Sequence, residues 1–305
     1  MKKKYLLLLL TASLFLFSGC SEDNNSSNKI SLGLMSDTAA IPFILADQAG
    51  YYESLGINVE IQIFQSAVDR DSALQANAVN AVSSDLIASG FFKESDNSLR
   101  ITSKSECGYA ILSSPESNIA NPLDLQGKQI GLSTNTLMEY LVDLTIEKYS
   151  IPDVTKTNIA KMPARLEMLR ENQIDAATLP DPLTFLAQKN NSSVIVTNED
   201  LGVYPGVILF DENFALKHKA LISKFYEAYD KAVDEINANG IDRYIESINQ
   251  VANFPEPVLS DLNNLKYAHS SLPSEENVNS AMEWLHAKGF ISEFYAYEDM
   301  ILSFE

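Results

Sequence analysis

The sequence predicts an α/β protein of two lobes, followed by a helical last third. Stretches with strand-like alternation and stretches with helical spacing of apolar residues follow one another from residue 30 onward. The same order of strand and helix begins again near Asp124, and after Phe214 the apolar residues recur at helical spacing alone. Because alternating strands and helices are typical of a mainly parallel sheet, the restart predicts one such sheet in each lobe.

The N-terminus predicts a cleaved export signal and a lipid anchor. Three lysines, Lys2 to Lys4, precede an apolar stretch, Tyr5 to Phe17, that is too short to span a bilayer. The small residues Ser18 and Gly19 then stand directly before Cys20. This order resembles the bacterial lipobox, which implies a signal peptide over 1–19, a diacylglycerol on Cys20 and an extracytoplasmic, membrane-anchored protein. The alternative is an ordinary signal peptide with a chance cysteine.

Composition limits the partners of the mature chain. Removing residues 1–19 takes away three of the 22 Lys and Arg residues and none of the 41 Asp and Glu residues, which changes the net charge from −19 to −22. So acidic a chain argues against nucleic acid as a partner. The polar residues 20–28 predict a flexible tether. If Cys20 carries lipid, Cys107 has no disulfide partner and is expected to pack as a small apolar residue.

Lobe one is predicted over residues 29–112. Pro42 near the start of its first helix and Gly50 near the end mark that helix, and strict alternation from Ile57 to Ile63 marks a strand. The predicted strands are 30–35, 57–63, 78–82 and 108–112, and the predicted helices are 41–52 and 69–76.

Lobe two, with the hinge segments, is predicted over residues 113–207. Its strands are expected at 129–132 and 174–179, and its helices at 137–149 and 163–172. The chain is expected to cross between the lobes near Ser113–Ser114 and again near Tyr204–Val207. Residues 208–305 then return to lobe one as mainly helical structure.

A short stretch occurs in both lobes. Residues 74–81 resemble residues 169–176, since in each a helix ends at an asparagine before a strand begins. Asparagine tolerates the left-handed conformation that closes a helix. Either the two lobes use the same unit, or any helix-to-strand junction looks alike.

Five segments carry a family resemblance: 41–52, 55–59, 125–131, 173–182 and 228–232. In order and spacing they resemble the type II periplasmic-binding-protein-like substrate-binding proteins of ABC importers, in the branch that serves nitrate, sulfonates, taurine and thiamine-precursor pyrimidines. The sequence departs from that pattern at Asn77 and Asn80, where the family commonly has Gly and Asp, and at 103–107. The resemblance implies a hinged, monomeric lipoprotein that needs no cofactor and delivers a small ligand to a permease and an ATPase.

Ligands of open α/β sheets bind beyond the carboxyl ends of the strands. The hydroxyl, amide and carboxyl groups expected there also serve as ordinary helix caps, so each has two interpretations. The candidate ligand residues are Asp37, Thr38, Ser66, Ser84, Asp85, Ser133, Thr134, Asn135, Thr136, Tyr140 and Asp181.

The charges among these candidates favour one ligand class. Asp37, Asp85 and Asp181 lie at strand ends, whereas Lys104 and Arg165 are the basic residues expected near them. Carboxylates that face a cleft favour a ligand with N–H donors or positive charge. We therefore expect a nitrogen heterocycle such as a thiamine-precursor pyrimidine, with nitrate, a sulfonate or taurine as the alternative.

Catalysis is not expected. The three histidines, His218, His269 and His286, lie in the helical last third, and the sequence has neither a Gly-x-Ser-x-Gly elbow nor a phosphate-binding Walker loop. No bound metal is expected either. A ligand sensor lipoprotein and an enzyme of menaquinone biosynthesis, both on the same fold, remain the other interpretations.

Overall fold

The computed structural model describes residues 28–95 and 98–304. The predicted signal peptide, Cys20 and nearly all of the tether lie outside the described residues. Within them, no helix is long and apolar enough to cross a membrane.

The described residues form ten strands. In chain order they are β1 (Lys29–Met35), β2 (Asn58–Phe64), β3 (Ala81–Asp85), β4 (Leu99–Lys104), β5 (Tyr109–Ser113), β6 (Gln129–Leu132), β7 (Thr155–Asn158), β8 (Ala176–Pro180), β9 (Val194–Thr197) and β10 (Gly206–Asp211).

Thirteen α-helices accompany the strands over the same residues. They are α1 (Ile41–Gln48), α2 (Tyr51–Ser54), α3 (Ala67–Gln75), α4 (Leu86–Glu94), α5 (Leu137–Tyr149), α6 (Met162–Arg170), α7 (Leu183–Lys189), α8 (Asn198–Leu201), α9 (Glu212–Lys217), α10 (Lys219–Asn239), α11 (Ile245–Ala252), α12 (Glu275–Ala287) and α13 (Tyr297–Met300).

The strands form two five-stranded sheets with the same plan. The first has the order β2-β1-β3-β10-β4 and the second has the order β7-β6-β8-β5-β9. In each sheet the first three strands are parallel and the fourth, β10 or β5, runs antiparallel to both of its neighbours. The first sheet with its helices is termed the first lobe, and the second sheet with its helices the second lobe. The predicted two-lobed α/β fold is confirmed.

The position of the first crossing was predicted wrongly. β5 pairs with β8 and β9, so it belongs to the second sheet and not to the end of lobe one. The chain therefore leaves the first sheet after Lys104 and enters the second at Tyr109, ahead of Ser113–Ser114. It returns between Thr197 and Gly206, where β10 rejoins the first sheet.

The internal repeat is confirmed. Asn77 and Asn172 both adopt left-handed conformations, with φ of 55° and 53°, at the ends of α3 and α6. The repeat also explains Asn80: its Oδ1 accepts a hydrogen bond from the N–H of Ser31 in β1. Asp175, its counterpart, accepts in the same way from Gln129 in β6. The asparagine thus keeps the structural role of an acid at this position.

The C-terminal third packs mainly on the first lobe. Phe225 of α10 stacks on Phe43 of α1, with ring centroids 5.5 Å apart, in a core that also holds Ile208 and Phe210 of β10. α12 packs on α4, where Met282 and Leu285 fill the space beside Gly90. This core continues into the second lobe through α5, so α12 touches both lobes.

Candidate functional site

A cavity of about 550 Å³, counting the part open to solvent, lies between the two sheets. Its walls come from the carboxyl ends of six strands, three in each lobe. The lining residues are Met35, Asp37, Ser66, Ala67, Arg70, Ser83, Ser84, Asp85, Tyr109, Ser133, Thr136, Leu137, Met138, Ala160, Met162, Arg165 and Pro180. The topology thus brings both halves of the repeat to one place, as the strand-end rule predicts.

Six of the eleven candidate residues line this cavity. They are Asp37, Ser66, Ser84, Asp85, Ser133 and Thr136. The cavity faces the starts of α3, α4 and α5, where Ser66, Asp85 and Thr136 accept hydrogen bonds of 3.2, 2.9 and 3.2 Å from first-turn N–H groups. Each of these three residues therefore caps a helix and also faces the cavity. Three helix N-termini make its wall partly positive.

The other candidates lie elsewhere. Tyr140 does not line the cavity: its hydroxyl lies 2.8 Å from Ser280 and its ring packs against Trp284, because α5 turns that face toward α12. The backbone N–H of Thr134 donates to Asn158, and Asn135 lines a neighbouring surface cleft.

Thr38 and Asp181 line a second cavity, beside the crossing segments, together with Lys104 and Cys107. Lys104 pairs with Glu106 at 3.1 Å, so its charge is balanced there. Burial, with Asp37 and Asp181 nearby, raises the pKa of the Cys107 thiol well above its ordinary value. Cys107 is thus a partly buried, protonated thiol.

Two buried arginines line the main cavity, which corrects the expectation of few basic groups. Arg70 is 3% exposed and Arg165 is 1% exposed. Each is the fourth residue of its helix, α3 or α6, and the two stand 95 positions apart, as do Asn77 and Asn172. Extending the sequence repeat by four residues toward the N-terminus would have paired them.

The two arginines differ in their partners. Arg70 donates from Nε to Asp71 and from Nη1 to the carbonyl of Ser83, and its Nη2 lies 3.8 Å from Asp85. Nη2 also lies 2.7 Å from Asp71, though without the geometry of a hydrogen bond. Arg165 donates from Nη1 to the carbonyl of Ile159.

The Nε of Arg165 is buried without a partner, and no carboxylate of the described residues forms an ion pair with this side chain. Burial lowers the pKa of Arg165 to about 10, so the guanidinium stays charged near neutral pH.

Burial raises the pKa values of the two acids on the cavity wall. Desolvation raises the pKa of Asp37 to about 7, despite a 3.0 Å hydrogen bond from the N–H of Ala39 and the nearby charge of Arg70. Desolvation also raises the pKa of Asp85. The Oγ of Ser84 is buried without a partner. An uncompensated cation and an unused hydroxyl together suit a ligand with hydrogen-bond acceptors.

The fold and the site together define the class of a type II periplasmic-binding-protein-like protein. This class has two sheets of the same plan, two crossings of the chain between them and a cavity between the strand ends. Within that class, residues 37–240 match the family model described as NMT1/THI5 like. This match covers more than half of the chain, and the chain belongs to that family.

Known proteins of this kind are similar over most of the chain. A Brachyspira hyodysenteriae protein named as an ABC transporter periplasmic binding protein is 25% identical, covering 76% of this chain and 73% of its own. The MOPS-bound alkanesulfonate-binding protein of Xanthomonas axonopodis pv. citri has a TM-score of 0.76 at 16% identity, over 90% of this chain and 98% of its own. The nitrate-binding protein of Synechocystis PCC 6803 has a TM-score of 0.69 at 10% identity, over 87% and 82%.

Proposed function

We propose that this protein is the substrate-binding component of an ABC importer and binds a small organic monoanion between its lobes. The family, the Brachyspira relative and the shared fold support a substrate-binding role. In this proposal Cys20 anchors the chain outside the cytoplasm, the tether leads to the lobes, and a permease and an ATPase receive the ligand.

The buried, unpaired Arg165 is the observation that carries the ligand class. A buried charge without a partner is costly, and an anion in the cavity would remove that cost. Arg70 already has Asp71 and Asp85 beside it, so Arg165 is the cation of the cavity wall that lacks a carboxylate partner in the described residues. A single unpaired cation suits a monoanion better than sulfate or a phosphate dianion.

Apolar side chains of the cavity wall would accommodate an apolar part of the ligand. They are Met35, Leu137, Met138 and Met162. Methionine adapts to ligands of varied shape because its side chain is flexible and polarizable. An organic acid with a short apolar body uses both the arginine and this wall, whereas nitrate uses only the arginine.

A nitrogen heterocycle, such as a thiamine-precursor pyrimidine, is the second candidate. Asp37 favours it, since a carboxyl group at the cavity wall can pair with ring N–H groups. Its support is weaker than the sequence alone suggested, because Asp37 and Asp85 already accept hydrogen bonds from helix N–H groups.

Thermal shifts separate the two classes, because a ligand that binds only the folded protein raises its melting temperature. We expect ethanesulfonate or another short organic monoanion to raise the melting temperature, and sulfate or phosphate to change it little. A shift with pyrimidines and none with any monoanion would replace the first candidate by the second.

The variant Arg165→Met tests the residue. Since a hydrogen bond to a charged group contributes about 1.5–3 kcal/mol, affinity for the shifting monoanion should fall by roughly 10- to 100-fold. The melting temperature without ligand should stay the same or rise, because the substitution removes a buried charge that has no ion-pair partner. Arg170→Met is the matched control, on the same helix but with a 47% exposed side chain. Equal affinities for the Arg165→Met and Arg170→Met proteins would refute the role of Arg165.

A further inference from the structure

A charged cluster joins the last long helix to the second lobe. Lys288, directly after α12, lies with its Nζ 2.9 Å from Asp143 Oδ2 and 3.2 Å from Glu139 Oε1. Lys156 of β7 pairs with the same two carboxylates of α5, at 3.0 Å in the case of Glu139. α12 packs on α4 of the first lobe. Two lysines, one held by each lobe, therefore share one pair of carboxylates.

Glu139 connects this cluster to the cavity. Its Oε2 accepts a 2.8 Å hydrogen bond from the N–H of Asn135, in the loop that presents Ser133 and Thr136 to the cavity. Burial favours a raised pKa for Glu139, but the Asn135 hydrogen bond and the two lysines outweigh it and lower the pKa. Glu139 is 7% exposed and stays ionised at neutral pH.

An aromatic contact lies beside the charges. The Nε1 of Trp284 in α12 donates to Asp143 at 3.1 Å, and its ring meets that of Tyr140 edge-on, with centroids 5.5 Å apart. Lys288 lies over the same indole, 5.4 Å from the ring centroid. Trp284 is the only tryptophan of the chain, so its fluorescence reports on this contact.

We propose that Glu139 is a positioning residue for ligand binding, and that α12 holds it from the other lobe through Lys288 and Trp284. The proposal rests on the cavity being the ligand site. In the arrangement seen here, Glu139 fixes the loop 133–136 with a charge-assisted hydrogen bond. Without Lys288, α5 loses one of its contacts with α12, the loop is less restrained, and a ligand bound between the lobes leaves sooner.

The first test needs no ligand. Acrylamide quenching of Trp284 is measured in the wild-type, Lys288→Met, Glu139→Gln and Lys231→Met proteins. We expect stronger quenching and a red-shifted emission in the first two variants only, because Lys231 pairs with Glu227 on the exposed face of α10, away from α12. Lys288→Arg should restore wild-type quenching. Identical quenching in all five proteins would overturn the proposed coupling.

The second test measures dissociation kinetics with ethanesulfonate as the probe, or with the monoanion that gives the largest thermal shift. Since the contacts concerned are single hydrogen bonds and ion pairs, we expect Lys288→Met and Glu139→Gln to raise the dissociation rate about 3- to 10-fold with little change in association. Increased quenching with unchanged dissociation would refute the positioning role. If no compound binds the wild-type protein, the proposed function fails, whereas the quenching result still decides whether α12 holds Glu139.

Discussion

Asp37 caps the short 3-10 helix Thr38–Ala40 and also faces the cavity. These two roles favour opposite charge states of the Asp37 carboxyl group. A carboxylate accepts hydrogen bonds well from a helix start, yet burial favours the neutral acid, and the result is a pKa raised to about 7 from an ordinary value of 3.8. The folded protein therefore binds a proton at Asp37 more tightly than the unfolded chain does.

We predict that Asp37→Asn flattens part of the pH dependence of stability. Because the folded pKa is raised, the stabilisation by the protonated acid is complete below about pH 4 and is lost as the pH rises through about 7. Asparagine cannot ionise, and its side-chain oxygen can still accept the hydrogen bond from the N–H of Ala39. The melting temperature of the variant should therefore lie a few degrees above that of the wild type at pH 8 and equal it at pH 4. Melting curves across that range measure this. A constant difference at every pH would contradict the raised pKa.

Residue types explain which parts of the site could be predicted. Ser66, Asp85 and Thr136 were predictable because a small polar residue between a strand and a helix marks both a cap and a strand end. Arg70 was missed, and Arg165 was expected near the carboxylates but not as a ligand residue, because each lies one turn inside its helix, where an arginine is usually solvated. Tyr140 was placed wrongly since its partner, α12, is more than 130 positions away along the chain.

At the scale of elements, β5 and β10 are the strands with which the chain enters the second sheet and returns to the first. Each pairs antiparallel with two strands that are not both its neighbours in sequence, as the fourth strand of its sheet. The helices α5 and α6 and the strands β1, β2 and β6 follow local patterns, and the sequence predicted them. The sheet to which β5 belongs depends on pairing with β8 and β9, which no local pattern encodes, and so the first crossing was misplaced.

Gly206 marks the point where the two crossing segments touch. The N–H of Ser105 donates to the carbonyl of Gly206 at 2.9 Å, and a Cβ added at Gly206 would lie 2.3 Å from the backbone oxygen of Ser105. Gly206→Ala should therefore lower the free energy of unfolding by about 1–3 kcal/mol, because backbone must move.

Denaturant unfolding measures this loss at Gly206. The matched control is Gly33→Ala in the same sheet, whose added Cβ would meet only side-chain atoms, at 3.1 Å and beyond. A Gly206→Ala protein as stable as the control would show that the crossing segments are not tightly packed.

For the whole molecule, the lipid anchor is the prediction that decides where the protein works. Cys20→Ala should leave the chain either uncleaved or released from the membrane fraction, because two acyl chains hold a protein stably and one is marginal. Cell fractionation with detection of the mature chain measures this. Cys107→Ala is the control and should stay membrane-bound. A Cys20→Ala protein that is cleaved and still tightly bound would exclude lipidation at this residue.

β5 lies in the second sheet although it follows strands of the first, and β10 lies in the first sheet although it follows strands of the second. This arrangement also sets an order in which the two sheets can fold. Among the strands of residues 28–95 and 98–304, β4 pairs with β10 alone, so it lacks a strand partner there until residues 206–211, which follow the whole second sheet, have been made. All five strands of the second sheet lie in one uninterrupted stretch, 109–197. The facing edges of β3 and β4 thus stay unpaired until β10, in the later part of the chain, is present. Such long-range pairing slows folding and exposes edges to aggregation. Pulse-labelled hydrogen exchange should find β6 and β8 protected before β3 and β4.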